Sequence, residues 1–457
     1  MNELLMNAAD RAVSYICNLE NRSVSPSVEA LARLSSLDEP LPTRSTDPQT
    51  VLRILDEIGS PATVASAGGR YFGFVIGGSL PAPLAANWLA GAWDQNACMD
   101  VASPIASALE TICLKWLLDV FSLPPNSGGG FVTGATMANF TGLAAARHTL
   151  LQSEGWDVEA LGLFGAPPIT VIVGDEVHVS VLKALSLLGL GRERVQRVPV
   201  DGQGRMRSDS LPGISGPTIV CFQAGNVNTG AFDPAGEVCA QAHEVSAWVH
   251  VDGAFGLWAA AAPRRAHLVS GVPDADSWAT DAHKWLNVPY DSGLVFVRDP
   301  EHLRGAMTAS AAYLIKNEKR EPYEYVPELS RRARGIEIWA ALKSLGREGL
   351  ADLIERSCEY ASSLAERLKL EGYEVLNEVV LNQVLVSFGD DETTRRVVAA
   401  IQKEGTCWCG GTVWRDRVAM RISMSSWATK ESDYERSFDA IRRIAREHTK
   451  LHTGNVR

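Results

Sequence analysis

The sequence predicts an α/β protein in which helices cover both faces of a mostly parallel sheet, with a smaller α+β domain at the C-terminal end. Between about residues 105 and 300, short apolar or β-branched runs alternate with helical stretches, which is the order expected for such a sheet. After residue 331 the pattern changes to a long helical segment followed by alternating helices and strands. This change indicates a second, smaller domain.

The individual elements follow from local patterns. Helical spacing of apolar residues predicts an amphipathic helix over residues 3–20, and its apolar stripe needs a partner surface. Strands are expected over residues 130–133, 169–173, 218–222, 248–251 and 294–297, and in the smaller domain over residues 374–376, 383–388 and 418–423. The chain should therefore have three parts: an N-terminal helical segment (1–70), a large α/β domain (71–305), and a loop with a small α+β domain (306–457).

The composition excludes several classes of protein. The 457 residues are 46% hydrophobic and 21% charged, which allows a large core and excludes wholesale disorder. The net charge is −11, so nucleic acid is not an expected partner. No secretory signal is visible and the eight cysteines are scattered, so we expect reduced thiols and a cytoplasmic location. Residues 71–93 are uncharged, but their glycines and prolines favour buried protein over a membrane span.

The most informative segment is Asp281-Ala282-His283-Lys284-Trp285, which precedes a turn-rich stretch and a strand. A lysine beside bulky aromatic residues at the end of an α/β sheet loses solvation, which favours the neutral amine needed for a Schiff base. A solvated surface lysine is the alternative. The lysine motif alone does not decide between the two.

A carboxylate precedes this lysine, in the segment His250-Val251-Asp252-Gly253-Ala254. Asp252 ends an apolar strand, so it should emerge at the carboxyl edge of the sheet, where open α/β folds bind ligands. It could instead cap a helix or bind a metal. No second carboxylate or histidine cluster with ligand spacing accompanies it, so no metal site is expected.

Two more segments follow strands. At Gly134-Ala135-Thr136 a strand turns into a helix, whose free backbone N–H groups suit a phosphate; the alternative is that Thr136 only caps the helix. His178 follows the next strand, where it could stack on a flat cofactor or be a satisfied structural histidine. A phosphate cradle, a stacking ring, a carboxylate and a lysine together form the set that holds pyridoxal 5′-phosphate (PLP).

In this order, the four motifs resemble those of the group II pyridoxal-phosphate-dependent amino-acid decarboxylases, which include the aromatic amino-acid, histidine and glutamate decarboxylases. The resemblance spans about residues 65–430, and His-Val-Asp followed by His-Lys-Trp is its most specific part. It implies the aspartate aminotransferase fold type (fold type I) with a seven-stranded sheet. It also implies PLP as cofactor and a homodimer that the N-terminal segment helps to form, with the active site at the interface.

The resemblance further implies a role for each motif. Lys284 would form the Schiff base, Asp252 would pair with the pyridine nitrogen, and His178 would stack on the ring. The remaining cofactor contacts would come from Gly134, Ala135, Thr136, Ala254, Asp281 and His283. His283 is also a candidate for catalysis, and Tyr323 and Tyr325 are candidates for a loop tyrosine that donates a proton to the substrate.

The implied reaction is decarboxylation of an L-amino acid to an amine and CO₂. Aromatic residues in an uncharged stretch favour an aromatic substrate, although such residues are often core. The candidates for substrate binding there are Tyr71, Phe72, Phe74 and Trp93.

Arg421 leaves other reactions open. It resembles the arginine that holds the α-carboxylate in aminotransferases of this fold, and a salt-bridged surface arginine is the alternative. If it holds the carboxylate in the ring plane, transamination or aldol cleavage would follow; an aldehyde synthase is a third possibility. A scaffold that has lost catalysis would be expected to lack Lys284 or Asp252, and both are present.

Overall fold

A computed structural model describes residues 1–309 and 319–453. Within these ranges the helices are α1 (Asn2–Cys17), α2 (Val28–Arg33), α3 (Pro48–Ile54), α4 (Ser60–Ala62), α5 (Pro81–Trp93), α6 (Pro104–Val120), α7 (Ala135–Ser153), α8 (Val158–Leu161), α9 (Val179–Leu187), α10 (Ala235–His243), α11 (Ala282–Trp285), α12 (Pro300–Met307), α13 (Gly335–Leu370), α14 (Asp391–Glu404) and α15 (Glu431–Thr453). Helix α13 is kinked at Gly346, where φ is 62°.

The larger sheet has seven strands: β1 (Gly128–Val132), β2 (Thr170–Gly174), β3 (Gln196–Val198), β4 (Thr218–Gln223), β5 (Trp248–Asp252), β6 (Ser277–Asp281) and β7 (Gly293–Val297). Their order is β1-β7-β6-β5-β4-β2-β3. Strand β7 runs antiparallel to both of its neighbours, β1 and β6, and the other four strand pairs are parallel. Every residue of β4, β5, β6 and β7 is buried, as expected for a sheet covered on both faces.

The smaller sheet is antiparallel and has the strand order β10-β11-β9-β8. Its strands are β8 (Glu374–Val375), β9 (Gln383–Ser387), β10 (Gly410–Trp414) and β11 (Arg417–Ser423). All eight predicted strands are therefore present, and β3, β6 and β10 were not predicted.

The described chain divides into two compact units. The first comprises Met1–Gly78, Leu364–Leu376 and Leu385–Arg457, and the second Ser79–Ser363 and Asn377–Val384. The expected boundaries at residues 70 and 305 do not coincide with this division. Arg70 shows why the N-terminal segment joins the first unit, because its guanidinium donates to the carbonyl oxygens of Glu20 and Arg22 and pairs with Asp433.

The expectation that residues 71–93 are buried is wrong for helix α5. Pro83 is its only buried residue, and the side chains of Trp88 and Trp93 are 43% and 45% exposed. Helix α1 has the predicted amphipathic pattern but likewise contains no buried residue. None of the described helices is long and apolar enough to cross a membrane.

Candidate active site

A cavity of about 330 Å³ lies in the second unit. Its lining includes residues that follow β1, β2, β5 and β6, four strands whose carboxyl ends share one edge of the sheet. The described residues that line it are Thr133, Gly134, Ala135, Thr136, Met137, His178, Ser180, Ala254, Asp281, His283 and Lys284. The sheet thus brings together the four predicted motifs, with Asp252 just behind the wall.

The first wall of the cavity is the start of α7. The helix begins at Ala135, and its N-cap residue is Gly134, so no side chain caps it. Thr136 lies inside the first turn, and the alternative that it caps the helix is therefore not realised. The Ala135 N–H instead donates to Asp281 Oδ1 at 2.6 Å. Gly293 packs so closely behind this turn that a Cβ atom there would lie 2.4 Å from Gly134 Cα. A helix start held in this way presents N–H donors to an anion.

Lys284 is not a solvated surface lysine. It lies on the short helix α11 directly after β6, lines the cavity, and has a side chain that is 19% exposed. Its Nζ lies 2.9 Å from Asp281 Oδ2. The next residue, Trp285, is fully buried and anchors the helix. The amine is therefore directed into the cavity on a rigid element.

The tautomer of His283 is determined by the backbone. The Ser292 N–H donates to His283 Nδ1 at 3.0 Å, so Nε2 carries the hydrogen of the neutral ring and lies 3.5 Å from Asp281 Oδ1. Burial lowers the pKa of His283, and the Asp281 carboxylate opposes this effect. The ring also stacks on Tyr290, with 4.3 Å between centroids. His283 is thus a neutral donor beside the helix start.

His178 is a structural histidine that also lines the cavity, and its stacking on a cofactor stays a prediction. It is the N-cap residue of α9, where its Nδ1 accepts from the Ser180 N–H at 3.2 Å, and its side chain also lines the cavity. The Ser180 hydroxyl lies 2.7 Å from the same nitrogen. The ring is therefore held by its own helix start while it faces the ligand space.

Asp252 lies one contact behind the cavity wall. Its carboxylate accepts hydrogen bonds from the Ala254 N–H at 3.2 Å, the Ser180 hydroxyl at 3.3 Å and the Asn139 amide at 3.2 Å. The residue is 4% exposed. A buried carboxylate that is held in place by three donors suits a cationic partner, which would balance its charge.

Other predicted site residues lie away from this cavity or outside its unit. Tyr323 is 2% exposed, and Tyr325 packs beneath the guanidinium of Arg320, 4.3 Å from the ring centroid. Neither is among the described residues that line the cavity, and burial raises the pKa of both hydroxyls. Trp93 ends α5 and does not line the cavity either.

The remaining four candidates belong to the first unit: Tyr71, Phe72, Phe74 and Arg421. Phe72 is 1% exposed and serves that unit's core, whereas Phe74 is 59% exposed. Phe74 adopts a φ of 53°, and its ring stacks on Trp408 at 5.5 Å. Arg421 is half-buried, and its partial loss of solvation lowers its pKa. Their roles in substrate binding stay predictions.

Sequence reasoning did not assign a role to Asn139, Ser180 or His250, although all three form the surroundings of Asp252. Helical spacing offers one signal, because Asn139 lies four residues after Ala135 and thus on the same face of α7. Ser180 follows the predicted His178 by two residues. No sequence pattern connects His250 to Asn139.

Fold and site together define a PLP-dependent enzyme of fold type I. The chain matches the family model described as "Pyridoxal-dependent decarboxylase conserved domain" over residues 41–389. It therefore belongs to the pyridoxal-dependent decarboxylase family and is a PLP-dependent carboxy-lyase, as the sequence motifs predicted.

Individual relatives agree with this family. An aromatic-L-amino-acid decarboxylase from Bacillus atrophaeus is 25% identical over 98% of this chain and 96% of that protein. A phenylacetaldehyde synthase from Petunia hybrida is 27% identical over 80% of this chain and 76% of that protein. The crystal structure of Oryza sativa TDC with PLP and tryptamine has the same fold, with a TM-score of 0.90 at 24% identity, covering 98% of this chain and 97% of that chain.

PLP fits the donor set of the cavity. The N–H groups at the start of α7 suit its phosphate, the Lys284 amine suits its aldehyde, and the Asp252 carboxylate suits its ring nitrogen. The turn also leaves little space for a side chain at Gly134, because a Cβ atom there would lie 3.2 Å from His283 Cε1.

Proposed function

We propose that the protein converts an aromatic L-amino acid to the corresponding amine and CO₂. The observation that carries the reaction type is the convergence of a cavity-facing lysine, an anion cradle and a buried carboxylate at one sheet edge of a family member. The aromatic substrate is supported by the Bacillus atrophaeus relative. Of the described residues that line the cavity, Lys284 is the only lysine or arginine. An acidic substrate side chain would therefore have to pair with the same lysine that binds PLP.

Each residue of the site has a separate role in the proposed reaction. Bound PLP supplies a ring that accepts the electron pair left when a bond to the substrate Cα breaks. The Asp252 carboxylate would pair with the ring nitrogen through its negative charge, and His178, which lines the cavity, would lie against the ring. Lys284 would bind the aldehyde of the cofactor through its amine, and Asp281, 2.9 Å away, would stabilise the lysine side chain as an ammonium. His283 would offer its Nε2–H to the phosphate.

The bond to the substrate Cα that breaks would depend on how the protein orients the α-carboxylate, so the residues that hold this group would decide the reaction. The family resemblance implies that Tyr323 or Tyr325 returns a proton to Cα, although neither of them lines the cavity of the described protomer. Arg421 would favour transamination only if it held the carboxylate in the ring plane. The family match favours decarboxylation over that alternative.

The proposal includes a homodimer with its active site at the interface. Two separate surfaces support it: α1 contains no buried residue despite its apolar stripe, and α5 exposes Trp88, Leu89 and Trp93. Apolar helices left exposed in one protomer are typical of protein–protein interfaces. Sedimentation should show a dimer for the intact protein and a monomer for Leu89→Asp; a monomeric intact protein would contradict the proposal.

A cytoplasmic location is also part of the proposal. All eight cysteines are free, and seven of them are buried, as expected of a protein from a reducing compartment.

The reaction is tested by incubating the PLP-loaded protein with phenylalanine, tyrosine, tryptophan, histidine and glutamate, and identifying products by mass spectrometry. An aromatic amine with CO₂ is expected. A keto acid would contradict it, and so would an aldehyde, the product for which the Petunia hybrida relative is named.

A variant pair links the activity to the site. Lys284→Ala should abolish both the yellow colour and amine formation, whereas Lys183→Ala, which changes an exposed lysine on α9, should preserve both. Amine formation by Lys284→Ala at the wild-type rate would remove the lysine from the mechanism.

A further inference from the structure

A chain of five buried side chains leads to Asp252 from the side opposite the cavity. The members are 0 to 5% exposed: Trp248, Ser277, His250, Asn139 and Asp252. The Trp248 indole donates to Ser277 Oγ at 2.9 Å, and Ser277 Oγ lies 2.8 Å from His250 Nδ1. His250 Nε2 lies 2.9 Å from Asn139 Oδ1, and Asn139 Nδ2 donates to Asp252 Oδ2 at 3.2 Å.

The direction of these hydrogen bonds follows from the charge at one end. A carboxylate only accepts, so Asn139 must point its NH₂ group at Asp252, and its oxygen then faces His250. That oxygen also only accepts, so His250 Nε2 must carry the hydrogen. His250 Nδ1 is left to accept from the Ser277 hydroxyl, which in turn accepts from Trp248. Every donor in the chain is therefore oriented toward Asp252.

His250 is suited to this neutral form. Burial lowers its pKa to about 4, although the Asp252 charge opposes the change. The fold also makes room for the ring, because a Cβ atom at Gly142 would lie 2.9 Å from His250 Cε1. A glycine in the middle of α7 is otherwise unfavourable, and here it permits close contact.

We propose that Asn139 and His250 are positioning residues, which orient Asp252 and hold it ionised so that the proton stays on the ring nitrogen of PLP. Asn139 acts directly, through its donor to Oδ2. His250 acts through Asn139, whose amide it prevents from turning. The inference rests on the role of Asp252 in the proposed function.

The physical effect concerns where one proton resides. Removing a donor from Asp252 removes a hydrogen bond that stabilises the negatively charged carboxylate. The proton shared between ring nitrogen and carboxylate then moves toward the carboxylate. A merely structural network would lower thermal stability on mutation without moving that proton.

The test is the ¹⁵N chemical shift of ring-labelled PLP in the holoenzyme, together with the dissociation constant of PLP. Asn139→Leu retains the side-chain shape and removes both polar groups. It should move the shift toward the unprotonated pyridine value and weaken PLP binding by about 10- to 100-fold, the size expected for a hydrogen bond to a charged group. Ser277→Ala, far from the cofactor, should move the shift in the same direction by less.

The matched control is Asn377→Leu, which changes a buried asparagine of the same unit that donates to the carbonyl oxygens of Thr229 and Gln383. It should lower the melting temperature and leave the ¹⁵N shift unchanged. An unchanged shift and PLP affinity in both Asn139→Leu and Ser277→Ala would overturn the positioning role while leaving Asp252 in place. An unprotonated ring nitrogen in the wild-type holoenzyme would overturn the role of Asp252 itself, and with it this inference.

Discussion

The carboxylate of Asp281 makes three polar contacts at the cavity. It accepts the Ala135 N–H, pairs with Lys284 and faces His283 Nε2. It therefore occupies one N–H donor at the start of α7, and its negative charge opposes a second anion. Asp281 is expected to limit how tightly the cofactor-free protein binds anions.

Replacing Asp281 by Asn should strengthen the binding of inorganic phosphate to the cofactor-free protein by about 5-fold. The change removes about 1 kcal/mol of like-charge repulsion and frees the Lys284 ammonium. Isothermal titration calorimetry measures the affinity, and Asp175→Asn, an exposed carboxylate after β2, is the control that should change nothing. Weaker phosphate binding by Asp281→Asn would show that its hydrogen bond to Ala135 matters more than its charge.

Among individual residues, the sequence predicted which ones lie at the sheet edge, because the ends of strands are visible in the hydrophobic pattern. Lys284, His178 and the Gly134–Thr136 turn all line the cavity as expected. The Asn139–His250 contact was not predictable, since 111 residues separate the two and only the parallel arrangement of the sheet brings them together. Asp252 was predicted to reach the sheet edge, and its three donors were not.

Three strands, β3, β6 and β10, were not predicted from the sequence, and each lacks the pattern of a typical strand. Strand β6, Ser-Trp-Ala-Thr-Asp, has no run of β-branched residues, yet all of it is buried between β5 and β7. Tertiary packing therefore overrides its weak propensity. Strand β10 begins with Gly410 and Gly411, and β3 has three residues at the sheet edge, two of them exposed.

Helix α6 carries a buried acid that joins three parts of the second unit. Glu110 is 0% exposed and pairs with Arg331, which is itself buried, while Arg320 lies 3.4 Å from its other oxygen. Arg320 also donates to the Gly129 carbonyl of β1. The cluster thus anchors the segment that contains Tyr325 to the sheet.

Removing the acid should be costly. Glu110→Ala leaves the buried guanidinium of Arg331 and the partly exposed one of Arg320 without their carboxylate, which is expected to reduce the free energy of unfolding by about 3–5 kcal/mol. Urea denaturation measures the loss. Asp352→Ala, which breaks an exposed pair with Arg356 on α13, should cost less than about 1 kcal/mol. A similarly small loss in Glu110→Ala would mean that the buried cluster contributes no net stability.

For the molecule as a whole, two buried groups make stability depend on pH in opposite directions. The pKa of His250 falls from 6.5 to about 4 on folding, so the unfolded chain binds a proton between these values that the folded chain does not. Its contribution is present above pH 6.5 and is lost as the pH falls. Burial raises the pKa of Asp233 to about 6, so that group favours the folded state at lower pH.

A variant isolates the histidine. Between pH 7 and pH 5 the His250 contribution should decline by about 2 kcal/mol. His250→Asn removes the titration and retains Asp233, so its free energy of unfolding should decline by about 2 kcal/mol less than that of the wild type over this range. Parallel curves for the two proteins would contradict a neutral buried His250.

The predictions for the whole molecule succeeded at the level of fold class, cofactor and family, because these depend on the order of strands, helices and motifs along the chain. The domain boundaries could not be predicted in the same way. Arg70 ties residues near the N-terminus to Asp433 on α15, and no local pattern connects positions so far apart. The exposure of α5 was likewise not predicted, because the sequence of an apolar helix does not show whether the helix packs in a core or at an interface.

Borohydride reduction of the PLP-loaded protein, followed by peptide mass spectrometry, tests the central assignment most directly. Reduction makes the bond between the cofactor and its lysine permanent, whatever the substrate is. A single phosphopyridoxyl group on the peptide that contains Lys284 is the predicted result. A labelled peptide from another lysine, with Lys284 unmodified, would contradict the assignment of this cavity as the active site.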